Sequence, residues 1–224
     1  MSDQRSGGEL ANVYHKKDFW IEENQKYARP HFRMEKIARI INRIAGGRSC
    51  DLLDVGCGPA TLARLLDPNI SYYGIDIAIH DPAPNLLELD IVENPITFEE
   101  MSFDIVVAQG LFEYLGNRQD EKFSEIAEVV RPGGTFVTSY VNFGHRQRQV
   151  YWPYSNVQPI ADFRESLARD FVIRKWFPTA YNWGHSEPNR PVVKVPNMYL
   201  NARIPFLAAK LAVEFFFICT PRGA

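Results

Sequence analysis

The chain has 224 residues, of which 46% are hydrophobic and 23% are charged. This apolar content excludes a disordered tail, a collagen-like fibre and a disulfide-stabilised miniprotein. The net charge is −2, from 25 Lys and Arg against 27 Asp and Glu, so no overall basic field favours nucleic acid as a partner. The length suits one large domain, which we expect to cover residues 1–224.

Cysteine usage and hydropathy indicate the compartment. Cys50, Cys57 and Cys219 form no Cys-x-x-Cys pair, which argues against a disulfide framework and against a structural metal site. The polar N-terminus has no apolar core of a secretion signal. The longest apolar stretch, residues 204–219, is interrupted by Pro, Lys and Glu and is too short to span a bilayer. We therefore expect a cytoplasmic protein without a membrane span.

The predicted elements begin with a helix over residues 18–45. Its apolar residues recur at steps of three and four, and Gly46 and Gly47 end it. Strands and helices then alternate. Predicted strands cover residues 51–55, 70–75, 86–89, 103–108 and 135–140, and predicted helices cover 60–66 and about 120–130. This alternation is typical of parallel strands joined by right-handed crossovers.

The regular alternation of predicted strands and helices ends after residue 140. Residues 141–158 form a long loop rich in aromatic and polar side chains, and residues 178–205 contain five prolines. Between and after these segments we expect a helix over 159–169, a sixth strand over 171–177 and a nearly apolar seventh strand over 214–220. The whole pattern predicts a doubly wound α/β fold with a mostly parallel, seven-stranded sheet.

A glycine-containing loop, residues 54–59, follows the first predicted strand. A ligand that lies against this backbone requires glycine at Gly56 and Gly58, because a Cβ atom would collide with it. We expect the next helix to begin at Pro59 or Ala60 and to direct its N–H groups toward an anionic or carboxylate-bearing ligand. In doubly wound sheets, ligands bind beyond the carboxyl ends of the strands, where this loop lies.

Polar side chains also close the next three strands. Asp76 lies twenty residues after Gly56, where a carboxylate can bridge the two hydroxyls of a ribose. Asp90 follows the third strand and can accept a hydrogen bond from an exocyclic amine, and Gln109 follows the fourth. Acids and glycines at consecutive strand ends indicate a nucleoside-bearing ligand.

The segments that carry these residues resemble the class I S-adenosylmethionine-dependent methyltransferases. They read LLDVGCGPATLARLL (52–66), YYGIDIA (72–78), LLELDI (86–91), FDIVVAQGLFEYL (103–115) and RPGGTFVTSY (131–140). The resemblance implies S-adenosylmethionine as methyl donor and S-adenosylhomocysteine as product. It also implies an antiparallel last strand, which enters the sheet between the fifth and sixth strands.

The resemblance assigns the two ends of the cofactor to different residues. Asp54, Gly56 and Gly58 would hold the methionine part, with Gln109 near its carbon atoms. Asp76 would take the ribose hydroxyls. At the base, Ile77 would lie against the adenine, Asp90 would meet its amino group and Ile91 would lie beside the ring.

The resemblance also divides the expected domain into three parts. They are an N-terminal helical lid (1–47), a cofactor-binding half (48–140) and a substrate-side half with long loops (141–224). Two positions depart from familiar patterns. Glu113 and Tyr114 stand where many relatives have Glu-His, so no histidine role is carried over. Thr61 replaces the third glycine of a dinucleotide fingerprint, which argues against an NAD enzyme.

Methyl transfer from a sulfonium is an in-line displacement, for which a general base is optional. His145 and His185 are the candidates for a base or a substrate contact. Four aromatic residues of the two long segments are candidates for an acceptor wall: Tyr151, Trp152, Tyr154 and Trp183. Residues 140–224 carry 11 Lys and Arg against 5 Asp and Glu, which fits an anionic acceptor.

The favoured interpretation is a methyltransferase that modifies an O or N atom of a small molecule, aromatic or anionic in character. Two alternatives stay open at this point. One is an NAD-dependent oxidoreductase built on the same sheet, and the other is a protein that binds S-adenosylmethionine without catalysis. The sequence sets no oligomeric state.

Overall fold

The structure is a computed structural model, which describes residues 16–98, 101–142, 157–181 and 212–223. Its α-helices are α1 (Lys17–Asn24), α2 (Phe32–Ala45), α3 (Gln119–Val129) and α4 (Ile160–Asp170). Its strands are β1 (Cys50–Val55), β2 (Ile70–Asp76), β3 (Leu86–Glu88), β4 (Phe103–Ala108), β5 (Val130–Val141), β6 (Phe171–Tyr181) and β7 (Ala212–Pro221). Short 3₁₀ helices lie at Gln25–Tyr27, Thr61–Leu65, Phe112–Tyr114 and Gly116–Arg118.

The strands form one sheet in the order β3-β2-β1-β4-β5-β7-β6. The five strands from β3 to β5 pair in parallel. Strand β7 pairs antiparallel with both β5 and β6. The predicted doubly wound fold is therefore confirmed, including the antiparallel last strand between the fifth and sixth. The strand order reverses between β1 and β4, and a ligand crevice is expected at the carboxyl ends there.

Successive strand residues point to opposite faces of the sheet, and helices pack on both faces. On one face, α2 packs through Ile37 and Ile41 against a cluster that includes Leu52 of β1. On the other face, Phe123 of α3 and Phe163 of α4 belong to a cluster that includes Leu53. Burial on both faces fixes the sheet and hence the positions of its strand ends.

In the described part of the chain, no helix combines the length and apolar character that crossing a membrane requires.

The prediction of one continuous helix over residues 18–45 is wrong, because the structure has two helices there. Helix α1 is followed by a 3₁₀ turn, and α2 starts only after Pro30. Proline has no N–H and disfavours helical backbone in the residue before it, so the helical pattern is broken there. This break turns α1 over the carboxyl ends of the strands.

The helix predicted over residues 60–66 is present, but it is shorter and of the 3₁₀ type. It covers Thr61–Leu65, and Ala60 before it has a left-handed φ of 51°. The segment between the glycine loop and Pro68 is short, and the residue before a proline avoids the helical region. The expected ligand contact with the N-terminus of an α-helix therefore does not apply to this loop.

Candidate functional site

A cavity of about 310 Å³ opens at the carboxyl ends of the parallel strands. Its volume lies within the range of small-molecule sites, roughly 300 to 1,000 Å³. All eight residues that the sequence marked for cofactor binding line this cavity: Asp54, Gly56, Gly58, Asp76, Ile77, Asp90, Ile91 and Gln109. The fold thus brings together residues that are up to 55 positions apart.

The glycine loop is held against the end of β2. The N–H of Gly56 donates to the Ile75 carbonyl at 2.8 Å, and the N–H of Gly58 donates to the Asp76 carboxylate at 2.7 Å. Both glycines have positive φ, 77° and 51°. Other residues adopt this backbone only with strain, which explains why the turn needs glycine.

Asp54 is buried beneath the loop. Its Oδ2 accepts a hydrogen bond of 2.8 Å from the Tyr72 hydroxyl. The pKa of Asp54 is raised to about 7, mainly by burial, with the hydrogen bond from Tyr72 opposing the shift and the negative charge of Asp76 adding to it. A cationic group in the cavity would favour the ionised form of Asp54.

Asp76 is fixed by three donors at the end of β2. Besides the Gly58 N–H, its carboxylate accepts from the Ala78 N–H at 2.9 Å and from the Asn24 side chain at 3.3 Å. Burial raises the pKa of Asp76, and the backbone donors oppose this shift. The carboxylate is therefore held in one orientation at the cavity wall.

Asp90 lies two residues beyond β3, where the chain turns. Its Oδ1 accepts from the Val92 N–H at 2.9 Å, which leaves the other carboxylate oxygen uncommitted by that bond. Ile77 and Ile91 line the same end of the cavity, and Ile91 is buried. This end pairs apolar walls with a carboxylate, a combination suited to a flat base with an amino group.

The N-terminal segment closes one side of the cavity. Trp20, Asn24, Tyr27 and Arg33 are among its lining residues. Outside the cavity, the His80 ring nitrogen lies 2.7 Å from the Ile21 carbonyl oxygen. From the sequence this segment is predicted only as a lid, and nothing there marks Asn24, because a lone asparagine in a helical pattern carries no signal.

A second group of polar residues lies at the end of β4. The amide nitrogen of Gln109 is buried and has no hydrogen-bond partner among the described residues. Glu113 also lines the cavity and is only 3% exposed. The pKa of Glu113 is raised to about 7, mainly by burial, and the charge of Glu214 contributes to this shift. In the sequence, Glu113 stands out only as part of a motif. Its burial at the cavity depends on the 3₁₀ turn after β4, which the sequence pattern does not predict.

The two histidine candidates, His145 and His185, lie outside the described residues. The same holds for the four aromatic residues proposed as an acceptor wall: Tyr151, Trp152, Tyr154 and Trp183. Their roles stay predictions.

A family model described as a methyltransferase domain matches residues 29–170, more than half of the chain. The chain therefore belongs to this methyltransferase family. It is an enzyme, an S-adenosylmethionine-dependent methyltransferase. The comparison with curated proteins finds no match.

Solved methyltransferase structures share the fold. The putative methyltransferase in complex with the Trm112 activator from Haloferax volcanii has a TM-score of 0.62 and 17% identity, over 93% of this chain and 96% of that one. The N-methyltransferase NodS from Bradyrhizobium japonicum, bound to S-adenosylhomocysteine, has a TM-score of 0.57 and 13% identity, over 96% and 97%. The TehB-like methyltransferase from Corynebacterium glutamicum has a TM-score of 0.53 and 18% identity, over 89% and 94%.

The residues present fit S-adenosylmethionine. The ligand offers an ammonium, two ribose hydroxyls and an adenine amine, all hydrogen-bond donors. The cavity meets them with the acceptors Asp54, Asp76 and Asp90, placed at the ends of three adjacent strands. The turn at Gly56 leaves no space to spare, since a Cβ there would lie 3.0 Å from a methyl carbon of Leu111.

Proposed function

We propose that this enzyme transfers the methyl group of S-adenosylmethionine to an O or N atom of a small-molecule acceptor by in-line displacement. The observation that carries the proposal is the row of carboxylates at the ends of β1, β2 and β3 around one cavity. The net charge of −2 gives the chain no overall basic field, which disfavours a nucleic-acid acceptor and so supports a small molecule. The cysteine usage supports a cytoplasmic location.

In this proposal the cofactor lies along the strand ends. Asp54 faces its ammonium, with Gly56 and Gly58 against the methionine part. Asp76 takes the ribose hydroxyls. Ile77, Asp90 and Ile91 form the adenine site, and Gln109 lies near the methionine carbons. The N-terminal part, residues 1–47, acts as the lid, residues 48–140 hold the cofactor and residues 141–224 receive the acceptor.

The bound cofactor supplies a methyl group on a positively charged sulfur, which needs no further activation. The chain's own task is to orient the acceptor atom and to exclude water from the cavity. Trp20 and Tyr27 of the proposed lid segment line the cavity and would serve the second task.

The first test is calorimetric titration of the purified protein with S-adenosylmethionine, S-adenosylhomocysteine and NAD separately. We expect micromolar binding of the first two and none of NAD. Asp76→Ala should weaken both by more than tenfold, because it removes the ribose acceptor and a partner of Gly58. Asp81→Ala, at an exposed aspartate five residues away, is the matched control. A clear NAD isotherm, or silence from both sulfur ligands, would overturn the proposal. Binding without methyl transfer to any acceptor would indicate a non-catalytic protein.

A further inference from the structure

A buried acidic cluster adjoins the cavity on the side of β5 and β7. It consists of two buried acids, Glu113 from the 3₁₀ turn after β4 and Glu214 from β7, beside the half-buried Arg33 from α2. Glu113 is 3% exposed and Glu214 is 1% exposed. Their burial is unusual, because carboxylates are seldom kept from water without full pairing.

Strand pairing explains why the two carboxylates meet. Val141 of β5 lies opposite Glu214 of β7 in the antiparallel register. The N–H of Val141 donates to Oε1 of Glu113 at 2.9 Å. Both side chains therefore converge at the carboxyl end of β5, where Val141 and Glu113 line the cavity.

The cluster has more acceptors than donors. Three of its carboxylate oxygens, Oε2 of Glu113 and both of Glu214, have no hydrogen-bond donor among the described residues. Arg33 Nη1 lies 3.6 Å from Oε1 of Glu214, a charge contact beyond hydrogen-bond length. Among the described residues, one guanidinium faces two carboxylates, so with every group ionised these three side chains have one net negative charge. A buried group that lacks donors and carries net negative charge is completed by a cation with N–H bonds.

We propose that Glu113 and Glu214 form the binding subsite for a protonated amine of the acceptor, so that the substrate class is an amine. The inference rests on the proposed function above. Glu113 lines the cavity and contacts the ammonium, and Glu214 supplies the second negative charge beside it. A neutral hydroxyl would leave the net charge in place, and a carboxylate would double it.

Glu113 also has the position of a proton acceptor. The ammonium gives one proton to the Glu113 carboxylate, which becomes a carboxylic acid, and the nitrogen keeps its lone pair. That lone pair forms the new N–C bond while the S–C bond breaks with both electrons left on sulfur. The positive charge passes from sulfur to the methylated nitrogen. The groups that face Glu113 are Arg33, Glu214 and Tyr140, and of these Arg33 favours its ionised form whereas Glu214 favours its protonated form.

The ammonium has two sources, the acceptor and the methionine part of the cofactor. We assign it to the acceptor, because Asp54 already lies beneath the glycine loop as a partner for the cofactor's own ammonium. The two sources are separated by measuring S-adenosylhomocysteine affinity in Glu113→Gln and Glu214→Gln. We expect affinities within about twofold of the unaltered enzyme. A loss of tenfold or more in either variant would place the cofactor's ammonium at this cluster and overturn the inference.

The acceptor side is tested on the saturated S-adenosylhomocysteine complex with three probes of equal length: n-butylamine, n-butanol and n-butyrate. Ligand-observed NMR should find the amine bound at least tenfold more tightly than the other two, and Glu113→Gln or Glu214→Gln should remove this preference. Glu128→Gln, at an exposed position on α3, is the matched control and should keep it. Equal binding of the probes, or binding of none, would overturn the inference while leaving cofactor binding, and hence the proposed function, intact.

Methyl transfer provides a third measurement. With labelled S-adenosylmethionine, a defined pool of primary amines should accept label, and the matching pool of alcohols should not. Glu113→Gln should lower the rate by about 100-fold, a common effect of losing a proton acceptor, while the Glu128→Gln control stays unchanged. Labelling of the alcohol pool alone would overturn the inference.

Discussion

At the scale of single residues, the cavity is surrounded by acids that the fold holds away from water. Burial raises the pKa of Asp54 and of Glu113 to about 7, and it raises the pKa of Asp76 as well. Each of these groups is more costly to ionise in the empty protein than in the unfolded chain. Donors or cations on a bound ligand remove part of that cost, so ligand binding and proton release are linked.

Glu113→Gln tests this cost through the pH dependence of stability. The ordinary pKa of Glu is 4.5, and burial raises that of Glu113 to about 7. A raised folded-state pKa means that the contribution is fully present below pH 4.5 and is lost as the pH rises through 7. Glutamine does not titrate, so between pH 5 and pH 8 the free energy of unfolding should fall by about 2 to 3 kcal/mol less in the variant.

The measurement is urea denaturation of the ligand-free protein across this pH range. Glu128→Gln, on the exposed face of α3, is the control and should follow the unaltered protein. Identical pH profiles for Glu113→Gln and the unaltered protein would contradict the buried-acid account.

At the scale of elements, the contact between β2 and the glycine loop decides the shape of the site. Gly74 of β2 lies against Cys57 of the loop, with Leu86 of β3 on its other side. A Cβ at Gly74 would lie 2.8 Å from the Cys57 sulfur and 2.8 Å from a methyl carbon of Leu86. The new atom would also lie 3.0 Å from the Cβ of buried Cys57, a contact that rotation of the cysteine side chain cannot relieve, so a side chain at this position forces β2 away from the loop.

Gly74→Ala should therefore lower the free energy of unfolding by about 1 to 3 kcal/mol, as overpacking in a core does. It should also weaken S-adenosylhomocysteine binding, since Asp76 and the loop are displaced together. Ser71→Ala, at an exposed position of the same strand, is the control. Urea midpoints and calorimetric affinities check both effects. Equal stability of the two variants would mean that the loop tolerates a wider separation.

Most of the strands were predictable from the sequence, and each exception has a physical cause. Buried parallel strands appear as apolar runs, so β1 and β4 were located within one residue. The helix expected after the glycine loop is a short 3₁₀ helix, because left-handed Ala60 and the proline at position 68 leave little room for α-helical turns. Glu113 and Glu214 are 101 positions apart, and only the antiparallel register of β7 brings them together. Periodicity along one segment carries no information about such long-range pairs.

At the scale of the whole molecule, the N-terminal segment is coupled to the cofactor site through polar contacts. Asn24 donates to Asp76 at 3.3 Å, and Lys17 pairs with Glu88 of β3. The ion pair is exposed and contributes little to stability. The buried contact of Asn24 joins α1 directly to the carboxylate proposed to bind the ribose, so we expect a bound ribose to act on α1 through this contact.

Hydrogen exchange followed by mass spectrometry tests this coupling. Saturating S-adenosylhomocysteine should slow exchange in peptides that cover residues 17–27, because a bound ribose and Asn24 share the same carboxylate. In Asn24→Ala this protection should fall by about fivefold or more, as the loss of one buried hydrogen bond predicts. Asn69→Ala, at the opposite end of β2, should retain it. Equal protection in both variants would show that the lid closes without Asn24.

The position of β7 has a consequence for how the protein is made. This strand follows all the other described strands in the chain, yet it lies between β5 and β6. During synthesis the edge of β5 stays without a partner until residues 212–221 have left the ribosome, and an open strand edge invites association between nascent chains. A stop codon a few positions before β7 would therefore yield insoluble protein in the cell, although the residues proposed to bind the cofactor at the ends of β1, β2 and β3 would already have been translated.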